Sequence, residues 1–321
     1  MIITGRKNTE KEIERIKSNQ TSLAIFCTGS HWNTEAILLA AKNIGEKFGI
    51  ENVPVAIAMT FNYEYMPQAQ RITHMKDSRM GFLSIIKYLD TLTNDPRSPY
   101  YNVHVLPHLD HADPFKDKWA LTVGTEYLSS VMFDAQKYPL EQNIQLTTEY
   151  VNTYKDTVYI EGIMDELSVH AGHEKQSVQS DDYHVRAYDY VKKTGVDFLV
   201  PDLGTEQQSQ GIGKNIYLQE RARNIRNIFN DKMLVLHGTS CLLPEQLKTL
   251  PEDGILRVNM WTRIAREAGQ YAFEKLKERE NLVKSNDFDA IESHRYLMDS
   301  TEKAAAIMEN IMESLGYANL K

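Results

Sequence analysis

The sequence predicts an α/β chain folded as a (β/α)8 TIM barrel with an added C-terminal helix. Three observations predict it. Eight short runs rich in apolar and β-branched residues recur along the 321 residues, as fully buried parallel strands do. Stretches with apolar residues at helical spacing lie between them. The count of eight favours closure into a barrel over a doubly wound open sheet. The open sheet would also carry a Gly-x-Gly-x-x-Gly turn, and Gly211-Ile-Gly213-Lys214 is too short for one and sits in a polar loop.

The predicted strands are 22–29, 53–60, 103–111, 130–135, 158–163, 196–204, 233–238 and 255–261. Each is bounded by turn residues or by a helical pattern. Predicted helices follow at 34–48, ending before Gly49, then at 81–92, 140–153, 182–193 (ending at Gly195), 218–229 and 261–277. A long helix over 288–315 closes the chain. One domain over 1–321 is expected, with the barrel at about 20–280 and a helical extension at about 285–317. The segment 93–102, with two prolines, reads as a loop, and 173–182 as a long polar loop of the kind that often binds or covers a site. The Tyr-, Met- and Arg-rich insert at 62–79 suits a substrate pocket or a subunit contact.

A net charge of −8 argues against a nucleic-acid partner, which calls for a basic face. It leaves room for a phosphorylated small molecule, which needs only a local site. Two cysteines, Cys27 and Cys241, make neither a disulfide framework nor a thiolate zinc knuckle. Residues 1–18 lack the apolar core of a signal peptide, and no run approaches the roughly 20 apolar residues that span a bilayer. A soluble cytoplasmic protein without membrane contact is expected, and the acidic surface and final helix suit a homo-oligomer.

The third strand, Val103-His-Val-Leu-Pro-His-Leu-Asp-His111, ends in an acid and two histidines. Side chains alternate along a strand, so His108 and Asp110 share a face while His111 points elsewhere unless the strand ends there. In a barrel the C-terminal strand ends meet at one face. Those ends carry Thr28, Thr60, Asp110 with His111, Asp134, Glu161, Glu206 with Gln207, His237 and Asn259. Imidazoles and carboxylates converging in this way suit zinc or a similar divalent ion. Each also has a plain structural use: a hydrogen-bonded strand-end histidine, an Asp134 helix cap, a Glu161 paired with a cation. His170 and His173 read as solvated loop residues.

In order, these blocks resemble those of the class II, metal-dependent fructose-bisphosphate aldolases and their relatives acting on other ketose phosphates. His108-Leu-Asp-His111 is similar to the family's His-x-Asp-His. Ser130-Val-Met-Phe-Asp-Ala135 with Tyr138-Pro-Leu-Glu-Gln-Asn143 resembles its fourth-strand block. Tyr159-Ile-Glu161 with Gly172-His-Glu174 resembles its fifth strand and loop. Gly195-Val-Asp-Phe-Leu with Gly204-Thr205 resembles the sixth, Leu236-His-Gly-Thr-Ser240 the His-Gly-Gly-Ser-Gly block, and Val258-Asn-Met-Trp-Thr262 the Asn-x-Asp-Thr block. The likeness covers about 22–270. It implies Asp110 as the acid/base at the aldehyde-derived carbon and Glu174 as the base at the ketose carbon. It implies His111 and His237 as ligands of a zinc or other divalent ion, with Asp134 and Glu161 in support. Gly238, Thr239, Ser240, Asn259 and Thr262, joined by Thr60 in the substrate pocket, would hold a ketose or ketose phosphate.

Two departures stand out. Gln207 occupies the place of the family's third metal-ligating histidine, with Glu206 beside it as an alternative donor. Trp261 replaces the aspartate of the last block, and Lys214 is the nearest candidate for the lysine after the sixth strand. The sequence therefore predicts a metal-dependent aldolase. A sugar epimerase or isomerase on the same metal, and a silent barrel supporting a partner, are its competitors.

Overall fold

The structure, a computed structural model, describes residues 1–167, 181–207 and 217–320. Eight parallel strands close into a barrel in chain order. They are β1 (Leu23–Cys27), β2 (Val53–Thr60), β3 (Val103–Ala112), β4 (Ser130–Phe133), β5 (Tyr159–Ile163), β6 (Phe198–Val200), β7 (Leu234–Leu236) and β8 (Ile255–Met260). Closure is the β1–β8 pairing, with Ile25 beside Asn259. Residues that the strands turn outward, such as Phe26, Val55, Val105 and Leu109, pack under the surrounding helices. Those turned inward, such as Leu23, Ile25, Ala56, Leu106 and Val235, fill the barrel.

The helices follow the predicted pattern, and capping side chains mark the starts of two of them. His31–Phe48 starts at Ser30, whose side chain accepts from Asn33 N–H, and stops at Gly49 in the left-handed conformation. Ser78–Asn94 starts at Asp77, which accepts from Met80 N–H. The closing helix differs from expectation: it breaks at Glu292 into Phe288–Ile291 and Ser293–Ser314. Glu292 is extended and its carboxylate caps His294 N–H, so a new helix begins there. The longer piece packs against His31–Phe48 and Thr262–Glu278.

One further element lies outside the predicted set. Arg6–Ser18 is a helix that buries Ile13 and Ile16 against the inward-facing residues of the barrel. Ile3 N–H bonds to Val105 O alongside it. The segment's high charge hides a narrow apolar stripe, which is enough to close one end of a barrel.

Candidate active site

The inward-facing residues form layers, as barrel interiors do. In the lower layer Arg257 Nη1 lies 2.5 Å from Glu161 Oε1. His108 Nε2 is 3.6 Å from Glu161 Oε2, and both His108 Nδ1 and Arg257 Nη2 lie 2.9 Å from Ser130 Oγ. Arg257 is 1% exposed and Glu161 fully buried. Burial lifts the Glu161 carboxyl to about 7 although Arg257 opposes the rise. Glu161 thus faces the guanidinium that its plain structural use required.

Asp110 sits two residues further along β3, at the mouth. Alternation alone would turn His111 away from it. The structure corrects that expectation: the β3–β4 register shifts between Leu109 and Ala112, and His111 adopts φ +48°. A bulge with a left-handed residue re-aims a side chain, and here it puts His111 on the same side as Asp110. The ligand atoms of Asp110, His111 and His237 all lie within 4.8 Å of one another, and all three residues are buried.

Each group is held in one orientation. His111 Nδ1 is 2.8 Å from Asp134 Oδ2, which leaves Nε2 facing the site. Asp134 also accepts from Gln136 N–H and Gln136 Nε2, so it orients an imidazole rather than capping a helix. Asn259 Nδ2 donates to Asp110 Oδ1 at 3.0 Å, and Cys27 Sγ lies 3.6 Å from Oδ2. His237 Nε2 is buried without a hydrogen-bond partner. An orphaned, buried ring nitrogen is costly unless something absent from the chain completes it.

Charges follow from these contacts. Burial opposes ionisation of Asp110, but the three imidazoles and the Asn259 amide outweigh it and hold the carboxyl below its usual range. Burial likewise opposes the charge on His111, and the carboxylates of Asp110 and Asp134 outweigh it, raising the imidazole. For His237 burial wins and lowers it to about 4, so it is neutral near pH 7. A neutral, aimed imidazole beside a carboxylate is a donor set suited to a divalent cation, and the residues fit such an ion.

The cleft above this cluster has about 470 Å³ of empty space. His111, His237, Gln207, Gly238, Thr239, Ser240, Asn259, Thr262 and Thr60 line it together with Asp110. Glu206 is half-buried and absent from the lining; its backbone lies under Gly238. Gly238 has φ +67°, and a Cβ there would meet Glu206 backbone atoms at 2.8 Å. Some hydroxyls are already engaged: Thr239 donates to Asn259 O, and Thr60 donates to Met66 O while accepting from Gln68 N–H. Trp261 lies against Gly29 at the rim, with no side-chain cap for the helix that begins at Thr262. Glu174, His170, His173 and Lys214 lie outside the described residues.

Cys27 and Tyr63 join the site although neither is among the expected site residues. Cys27 is one residue before the strand end chosen for β1, and its Sγ lies 2.9 Å from Asn259 Oδ1. Tyr63 belongs to the aromatic insert at 62–79, and its ring stacks on His111 at 4.4 Å and 10°. The insert's composition was the signal. Only the fold shows which of its residues reaches the His111 imidazole.

Comparison with known proteins agrees with this architecture. A fructose-bisphosphate aldolase of Geobacillus stearothermophilus is 30% identical over 202 residues, spanning 61% of this chain and 64% of that protein. One from Staphylococcus epidermidis is 26% identical, spanning 74% and 79%. The chain thus aligns with somewhat under two thirds of the first relative's length. Among solved structures, a fructose-bisphosphate aldolase of Campylobacter jejuni superposes with TM-score 0.72 at 17% identity, covering 100% of this chain and 97% of that one. An aldolase of Escherichia coli K12 gives 0.68 at 18% identity, with 98% of each chain covered. The sequence profile of fructose-bisphosphate aldolase class-II matches residues 7–320, and the chain belongs to that family.

Proposed function

We propose that the protein is a metal-dependent aldolase that cleaves or forms a carbon–carbon bond in a ketose or ketose phosphate. The observation that carries the reading is the buried cluster of Asp110, His111 and His237, with one imidazole oriented by Asp134 and the other left with an orphaned Nε2. His111 and His237 would hold zinc or another divalent ion. When bound, that ion supplies Lewis-acid stabilisation of the negative charge that develops on the ketose oxygens.

The chain's own groups then move the protons. Asp110, kept ionised by its imidazole neighbours, takes the hydroxyl proton of the breaking bond and returns it in the synthetic direction. Asn259 holds its carboxylate in place. Glu174 is assigned the proton at the ketose carbon from the family likeness alone. The turn Gly238–Ser240 and the start of the helix at Thr262 offer backbone N–H groups to a phosphate. Glu161, paired with Arg257, supports the floor beneath Asp110. A homo-oligomer acting in the cytoplasm completes the reading; no helix among the described residues is long and apolar enough to cross a membrane.

The test is cleavage of a panel of ketoses and ketose phosphates with a coupled assay for the aldehyde product. Chelation with EDTA should abolish turnover and a divalent ion restore it. Asp110→Asn should lower kcat by about 10²–10⁴. Turnover indifferent to both treatments would refute the proposal.

A further inference from the structure

The family likeness expects an imidazole where Gln207 stands, and the aldolase reading gives Tyr63 no task. We infer that these two residues form one device. The Gln207 carboxamide is the third protein ligand of the divalent ion, and Tyr63 is the positioning residue that lets this side chain serve both the empty and the loaded site. The inference rests on the metal-dependent reading above.

The geometry is specific. Tyr63 OH donates to Gln207 Oε1 at 3.1 Å, and Gln207 Nε2 lies 3.2 Å from His111 Nε2. His111 Nδ1 is committed to Asp134, and in the neutral ring, the form that can ligate a cation, Nε2 is then the atom that accepts from the amide. Two ligands bound tetrahedrally at roughly 2.1 Å stand about 3.4 Å apart. The end of the carboxamide is therefore already at the spacing of a second ligand on the ion that His111 would bind. Glu206, the neighbouring carboxylate, is outside the cleft lining.

An amide nitrogen has no lone pair to offer a cation, whereas the amide oxygen has two. The two ends of a carboxamide are nearly the same size, so a half-turn of the terminal torsion exchanges them within the same space. A tyrosine hydroxyl can donate or accept. In the orientation seen here it donates to Oε1, and after the half-turn it accepts from Nε2. Tyr63 keeps its hydrogen bond in both states, while its ring holds the plane of His111 by stacking. Without an ion, the amide N–H satisfies His111 Nε2. With one, the amide oxygen faces the charge.

Selectivity follows from the donor change. Carbonyl oxygen suits Mn2+ and similar hard ions better than imidazole nitrogen does, and imidazole suits Zn2+. A site with Gln207 favours Zn2+ over Mn2+ less than the same site with histidine there.

Calorimetric titration of the metal-free protein with Co2+, Mn2+ and Zn2+, with the visible absorption of the Co2+ form, tests this apart from turnover. Gln207→Leu should weaken each ion by roughly tenfold or more and alter the Co2+ spectrum. Gln207→His should raise the ratio of Zn2+ to Mn2+ affinity by roughly tenfold. Tyr63→Phe, which keeps the stacked ring, should still weaken binding by roughly 10–100-fold, as loss of a partner behind a ligand does. Wild-type affinities and an unchanged Co2+ spectrum in Gln207→Leu and Tyr63→Phe would overturn the inference and leave the aldolase reading standing. If Gln207→Leu does not fold, an unchanged Zn2+ to Mn2+ ratio in Gln207→His overturns it instead. A wild-type protein that binds none of the three ions overturns both.

Discussion

Replacing Arg257 with methionine removes the cation from the floor of the site and leaves Glu161 in a fully buried place. Methionine fills much the same volume, so the loss is mainly electrostatic. The guanidinium faces Glu161 Oε1 at 2.5 Å and Ser130 Oγ at 2.9 Å, and His108 is the remaining neighbour of the acid. Burial already lifts Glu161 to about 7 with Arg257 present. Without the cation it rises further, and the folded protein takes up a proton instead of keeping a bare buried anion. Its ordinary value of 4.5 holds in the unfolded chain. A folded-state value raised above the unfolded one gives full stability below the unfolded value, lost as pH rises toward the folded value. Between 4.5 and about 7 wild type and variant lose stability alike, so the pH-dependent difference between them opens only above about 7, at about 1.4 kcal/mol per pH unit: near zero at pH 5 and up to about 2 kcal/mol at pH 8.5. Losing the Ser130 contact adds about 1 kcal/mol at either pH. The total at pH 8.5 is up to about 3 kcal/mol, at the lower edge of the about 3–5 kcal/mol typical of breaking a buried pair. Urea denaturation of wild type and Arg257→Met at pH 5 and pH 8.5 reads it directly. Adding Glu161→Gln to Arg257→Met should remove most of the pH dependence. An equal loss at both pH values would refute the reasoning.

Further outcomes follow from single contacts. Gly238→Ala forces a β-carbon into a left-handed backbone and against Glu206 backbone at 2.8 Å. It should destabilise by more than about 1 kcal/mol in denaturation and weaken substrate binding at the Thr239–Ser240 turn. Lys232 is half-buried near Lys17 and Arg226, with Nζ donating to Thr21 O, and burial, aided by those cations, lowers it to about 7. A lowered folded value means its contribution is complete above the unfolded value of 10.5 and is lost as pH falls through about 7. Lys232→Met should therefore raise the melting temperature at pH 6, with a smaller gain at pH 9.5. A gain that grows with pH would contradict this.

Much of the fold was legible because buried parallel strands are written as short apolar runs. β2 was predicted at its observed bounds, and the other strands within a few residues. The sixth strand shortened most, from 196–204 to Phe198–Val200; Pro201 follows it and has no N–H to continue the ladder. The N-terminal helix was not legible, because only a narrow stripe including Ile13 and Ile16 carries its packing and charged residues dominate its composition. The break at Glu292 depends on one side chain reaching back to a backbone N–H, and residue periodicity does not encode that.

Chain order alone places the residue types at each strand end, and so the kind of chemistry they suit: an acid, two imidazoles and further carboxylates. Order along the chain is enough for this, since parallel strands in a barrel place their ends at one face. Only the tertiary structure decided which of those groups meet. A register shift and a left-handed backbone at His111 brought it beside Asp110, against the alternation of the strand. Glu161 faced Arg257, a residue three strands away. Tyr63, from an insert with no strand-end signal, came to lie on His111 and bond Gln207. These are contacts between residues distant in sequence, set by the closing of the barrel, and local pattern does not specify them.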